Sequence, residues 1–182
     1  MLKGLFLAVS LVVTLCAACV GGAWAWVKWE YSLPSAPVVQ RQFASQRAYF
    51  IELTSLLENE QLVSGAHIGG DGTVATGMHS RSVPAYRDLI HRIGAKSVLV
   101  REDGSIEFTL RGYGCTLCSD SYMGVRYVPS VLKKVSYPGW TQQVVDSLES
   151  AKLPHERGGV ASGLYVVPIE PNWFVYRFEY QE

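Results

Sequence analysis

Residues Ser97–Arg111 read SVLVREDGSIEFTLR. Two runs of alternating character flank Asp103-Gly104, a dipeptide suited to a tight reversal between antiparallel strands. Ser97 to Arg101 is a short strand. Ser105 to Arg111 is its partner, with Ile106, Phe108 and Leu110 alternating against Glu107 and Thr109. A period of two places the apolar set on one side of a sheet. Further along, Tyr122 to Val128 reads as a third strand ended by Pro129. Leu164 to Ile169 and Trp173 to Tyr180 form a last hairpin across Glu170-Pro171-Asn172. In that final strand Phe174, Tyr176, Phe178 and Tyr180 share a face, and the expectation is that they anchor it in the sheet core.

Before this hairpin the period is helical. From Val38 to Glu60, Phe43, Phe50, Leu53 and Leu57 fall on one stripe, with Gln40, Gln42, Ser45, Gln46 and Glu52 on the other side. Ser35 with Pro37 suits a helix start. The stripe faces the domain core or, alternatively, forms a homo-oligomerising stalk. Residues 64–81 hold five glycines and little periodicity, and read as a long loop. Ser82 is placed as the cap of a second helix, with Pro84 in its first turn. Its apolar face is Tyr86, Leu89, Ile90 and Ile93, and Gly94 is its left-handed end. Segments 112–121 and 154–162 read as loops. Trp140 to Lys152 reads as a helix with Val144, Val145 and Leu148 inward. The fold expected is α+β: helices packed on one face of an antiparallel sheet of about five strands.

The chain has 182 residues, with 16 basic and 16 acidic side chains and 48% hydrophobic residues. That length suits one domain with an appendage. The charge balance argues against a nucleic-acid partner, and the apolar, aromatic composition against a disordered chain. The appendage is the N-terminus. Between Lys3 and Lys28 lie 24 uncharged residues, 19 of them hydrophobic. A helix over about 4–27 reaches roughly 36 Å, enough to cross a bilayer core. Trp24, Trp26 and Trp29 crowd its end as an aromatic belt at the membrane interface. An uncleaved signal anchor is the leading reading. A signal peptide cleaved at Ala23-Trp24-Ala25 and a lipoprotein modified at Cys19 are the alternatives. The domains expected are an anchor at 1–29, a proline-stiffened linker at 30–37 and one soluble domain at 38–182. The location expected is the inner membrane, crossed once, with the domain periplasmic.

Cys115-Thr-Leu-Cys118 is the sharpest chemical motif. Two thiols at this spacing can close a structural disulfide, cycle redox state or supply half a zinc site. No second ligand pair stands at zinc spacing, since His67, His79, His91 and His155 are scattered. No helix is signalled after the pair, as a redox site would want, so the disulfide leads. No cofactor is expected. Gly69-Gly70-Asp71-Gly72 lacks the lysine and the strand–helix setting of a phosphate loop. Ser64, His67 and Asp71 crowd one loop, poor geometry for a hydrolase triad. Glu149, Glu156 and Glu170 lack metal-ligand spacing. Arg111, Arg126 and Arg177 lie on strands and would make an anion site only if they shared a face.

Phe43 to Leu57, Tyr86 to Gly94, Gly124-Val-Arg-Tyr127 and Trp173-Phe-Val-Tyr176 together resemble a type of small membrane-anchored bacterial envelope protein without an assigned activity. The resemblance spans most of the soluble part and implies a location and a fold type, but no site. The function expected is a non-enzymatic module that binds an envelope protein. The alternatives are a thiol redox protein using Cys115 and Cys118, and a small-ligand sensor with the 64–81 loop as lid.

Overall fold

The computed structural model describes residues 19–22, 33–60, 65–76, 79–113, 120–129, 141–144, 148 and 161–181. The chain divides into two compact units, Met1–Ser32 and Leu33–Glu182. In the first, residues 19–22 are helical and exposed. Among the described residues no helix is long and apolar enough to cross a membrane. Crossing takes about 20 apolar residues in one helix. The transmembrane helix, and with it the single-pass inner-membrane location, is therefore withdrawn. The rest of the 4–27 segment, with Trp24, Trp26 and Trp29, lies outside the described residues.

The second unit holds helices α1 (Ala36–Asn59) and α2 (Pro84–Ile93). Its nine strands are β1 (His67–Gly69), β2 (Thr73–Thr76), β3 (His79–Ser82), β4 (Ser97–Val100), β5 (Ile106–Tyr113), β6 (Asp120–Tyr127), β7 (Thr141–Val144), β8 (Ala161–Glu170) and β9 (Trp173–Gln181). They form one sheet in the order β3-β2-β1-β4-β5-β6-β9-β8-β7. Every neighbouring pair is antiparallel except β7 with β8, which is parallel. The sheet of about five strands is thus corrected to nine among the described residues. Residues 64–81, expected as a loop, supply β1, β2 and β3. These strands are three or four residues long, too short for alternation to stand out against their glycines. Residues 141–144, expected as helix, run instead along β8. Apolar positions that suit a helix stripe suit a short buried strand equally.

The expected hairpin at 97–111 is β4–β5, with Val98 opposite Phe108 and Val100 opposite Ile106. Its loop has three residues rather than two. Arg101 N–H donates to Ser105 O at 2.8 Å, Gly104 N–H donates to Arg101 O at 3.0 Å, and Gly104 takes φ +85. A type I turn closed by a left-handed glycine has this form.

Helix α1 begins at Ser35, whose carbonyl accepts from Val38 and Val39 N–H. It buries Val39, Phe43, Phe50, Leu53 and Leu57. These side chains, with Tyr86, Ile90 and Ile93 of α2, pack on the sheet face of Ile68, Val98, Ile106, Phe108, Met123, Val125, Trp173 and Val175. Trp173 lies 5.0 Å between ring centroids from both Phe43 and Tyr127, and Phe50 meets Phe108 edge-on at 5.1 Å. The stripe proposed for a stalk is therefore interior to the domain.

Helix α2 ends as its sequence suggests. Gly94 is left-handed, its N–H donates to His91 O, and Ala95 N–H donates to Ile90 O. Its start differs. The N-cap is Val83, with no side-chain cap bond, while Ser82 belongs to β3. Gln42, expected on the solvent side of α1, donates from Nε2 to Ile93 O at 2.8 Å and satisfies the last turn of α2.

Phe174, Tyr176 and Phe178 of β9 share a face as expected, but it is not the face that meets the helices. The register places Trp173 and Val175 toward the helices and Phe174, Tyr176 and Phe178 on the opposite face. There Tyr176 joins Leu164 and Val166 in a second buried cluster, flanked by Tyr122, Phe174 and Phe178. The sheet is thus apolar on both faces along β6, β9 and β8.

Candidate functional site

The densest polar constellation lies where the β4–β5 turn meets β6, on the face away from the helices. The β5–β6 register sets Glu107 directly opposite Arg126. Arg101, the residue after the end of β4, reaches Glu107 Oε2 from Nη2 at 2.6 Å and from Nε at 3.0 Å. Arg126 Nη2 donates to Asp103 Oδ2 and to Ser105 Oγ, each at 2.9 Å. Its Nη1 stands 3.6 Å from Glu107 Oε1. Asp103 also accepts from the Ser105 N–H at 2.8 Å, which holds the turn.

Glu107 and Arg126 are 3% and 4% exposed. Burying an ion costs several kcal/mol unless partners surround it. Here two arginines face two carboxylates, so the cluster is neutral and largely self-satisfied. Even so, Glu107 Oε1 and Arg126 Nε and Nη1 make no hydrogen bond among the described residues. One row further on, Thr109 Oγ1 and Tyr176 Oη are 2.9 Å apart. Burial, then the nearby Glu107 charge, pushes the Tyr176 phenol well above its ordinary range. A neutral hydroxyl held this way is a structural partner for Thr109, and either oxygen can donate.

The arginines singled out in the sequence do not converge. Register puts Arg111 and Arg177 on the helix-side face, either side of Met123, and Arg126 on the other. Arg177 pairs with Glu179 and donates to Leu148 O at 3.2 Å. No face therefore carries all three arginines.

The hydrolase triad dissolves as well. Asp71 Oδ1 accepts from Thr73 N–H at 3.0 Å and Oδ2 accepts from Thr73 Oγ1 at 2.9 Å, locking the β1–β2 turn. Those bonds, the backbone one first, hold its carboxyl below the usual range. His67 is exposed and Ser64 lies outside the described residues. Glu170 is engaged by Arg47 at 3.0 and 3.1 Å, which ties α1 to the last hairpin.

Cys19 is the one described cysteine, free and exposed. A bridge needs two sulfurs in bonding distance, and no disulfide is present among the described residues. Cys115 and Cys118, the expected disulfide pair, lie outside the described residues. No group of three His, Cys, Asp or Glu side chains among the described residues could hold a metal ion.

A second constellation sits at the outer edge of the sheet. Arg81 of β3 meets Glu60, just past the end of α1, at 2.5 Å. Beneath them Tyr86 is fully buried, and its phenol is raised by burial first and by Glu60 next. Strand β3 itself is exposed at all four residues. Sequence reasoning missed this edge entirely. Comparison with protein-family models, with curated proteins and with solved structures returned no match for this chain.

Proposed function

We propose that the Leu33–Glu182 unit is a non-enzymatic protein-binding module. The observation that carries this reading is the internal neutralisation of the sheet's buried charges. Arg101, Arg126, Asp103 and Glu107 engage one another, and Tyr176 engages Thr109. Catalytic groups need an unengaged, accessible partner for substrate. The groups here serve the fold, and what the described surface offers outward is a helix flank and a sheet edge.

The segment offered as a lid in the ligand-sensor alternative supplies strands 67–69, 73–76 and 79–82 of the main sheet, which favours the protein-binding reading. Photo-crosslinking residues placed at Ser80 and at Ile51 in the full chain, expressed in its own cells, test the proposal. A reproducible protein adduct at one of these sites is the expected result. Absence of any adduct at both, with the protein folded, rejects it.

A further inference from the structure

We infer that β3 is a docking strand, which takes an extended acidic segment of the partner as a further strand of the sheet. This rests on the protein-binding reading and names its mode and chemistry. Strand β3 ends the strand order, and no strand lies beyond it among the described residues. Val83 N–H donates to Gly72 O at 3.0 Å, so the Gly72–Val83 pair is hydrogen-bonded. Antiparallel ladders alternate. The pairs Val74–Arg81 and Thr76–His79 then bond inward, and Ser80 and Ser82 aim their N–H and C=O groups at the open edge.

Natural edges are blunted by prolines, bulges, covering segments, short length or charged side chains, and of these β3 has its four residues and Arg81. The β2–β3 register runs without a shift from Thr73–Ser82 to Thr76–His79, and β3 contains no proline. On the face away from the helices, Ser80 and Ser82 stand beside Ala75 and Thr73. An incoming strand meets only small side chains there.

The other face selects the partner. It carries His79 and Arg81, and no acidic residue lies on β3 itself. Glu60 engages a single nitrogen of Arg81, whose side chain is 59% exposed. Arg87, which pairs with Asp88 at 3.4 Å, stands over the Gly72–Val83 end, its Cβ against Gly72. A second copy pairing antiparallel, with Ser80 opposite Ser82 of its mate, would set Arg81 against Arg81, and like charges directly opposite destabilise a strand pair. A carboxylate at that position instead gains charge-assisted bonds to the guanidinium.

Amide hydrogen exchange of the full chain tests this, with a capped peptide alternating valine and glutamate as probe and its valine–lysine counterpart as control. In the free protein the Ser80 and Ser82 amides exchange fast and Arg81 slowly. The glutamate peptide slows Ser80 and Ser82 by about tenfold or more, and the lysine peptide does not. Ser82→Pro deletes one outward N–H without touching the ladder and abolishes the protection. Ser80→Pro serves the same purpose should the first variant melt early. Arg81→Gln keeps the protection but loses the preference for glutamate.

Exchange unchanged by the glutamate peptide, or slowed equally by both peptides, overturns the proposal. So does protection that rises with protein concentration alone, which identifies a second copy as the occupant. A crosslinked partner that survives Ser82→Pro leaves the protein-binding reading standing and removes only this one. Absence of any crosslinked partner removes the reading itself.

Discussion

Gly124 shows how far single residues decide this fold. It faces the irregularity between Thr109 and Arg111, and a Cβ added there would stand 1.9 Å from Phe108 O. Neither the backbone of β5 nor that of β6 can yield without breaking the ladder. Gly124→Ala is expected to cost about 3 kcal/mol or more, read as a lowered denaturation midpoint with an unchanged slope. The buried ions make the opposite case, in which context rather than size matters. Arg126→Met leaves Asp103 and Glu107 short of a partner, and Glu107→Leu leaves two arginines facing each other. Each single change should cost about 3–5 kcal/mol. The double variant should cost less than the sum, because each removal relieves the other, and a double-mutant cycle reads that coupling directly. Neither role was legible beforehand. Glu107 alternates with Ile106 and Phe108 as an outward polar residue would. Only the pairing with β6 and the second buried face place it inside.

At the scale of elements, both helices were legible because their apolar stripes and end signals agree. Gly94 at φ +71 is the clearest signal. Gly94→Ala forces a side chain into the left-handed region, 3.2 Å from Gln42 Nε2. The expected cost is about 1–2 kcal/mol, and a melting temperature lower by roughly 2–8 °C checks it. By contrast Arg47→Ala, which loses a half-exposed pair with Glu170, should shift stability by no more than about 1 kcal/mol. The short strands escaped the sequence. Strand β1 has three residues and β2, β3 and β7 have four each, too few apolar positions for alternation to stand out. Their pairing partners, not their own residues, hold them extended.

At the scale of the whole molecule, the sheet is unusual in burying side chains on both faces, and its tyrosines record this. Burial raises the phenols of Tyr86, Tyr127, Tyr165 and Tyr176, with Glu60, Glu58, Glu179 and Glu107 adding in turn. A raised folded value means that the stabilisation is complete below the ordinary phenol value of 10.0 and is lost as pH climbs past it. The unfolded chain releases those protons first, so alkali favours unfolding. Absorbance at 295 nm should show these tyrosines ionising together with the loss of near-ultraviolet circular dichroism, not before it. Tyr176→Phe should move that alkaline transition upward while lowering stability at neutral pH through loss of the Thr109 bond.

The sequence alone determined two helices with their inward faces, the turn at Asp103-Gly104, the strands on either side of it and the final hairpin. Local preferences decide those elements: a helical stripe, a left-handed glycine, a two-residue period. Tertiary structure alone decided the number of strands, which face of β9 meets the helices, the burial of Glu107 and Arg126, and the open edge at β3. Each depends on cross-strand neighbours distant in the chain. Short strands gain their hydrogen bonds from a partner already in place, and a charge is buried only once the opposite charge is paired across from it.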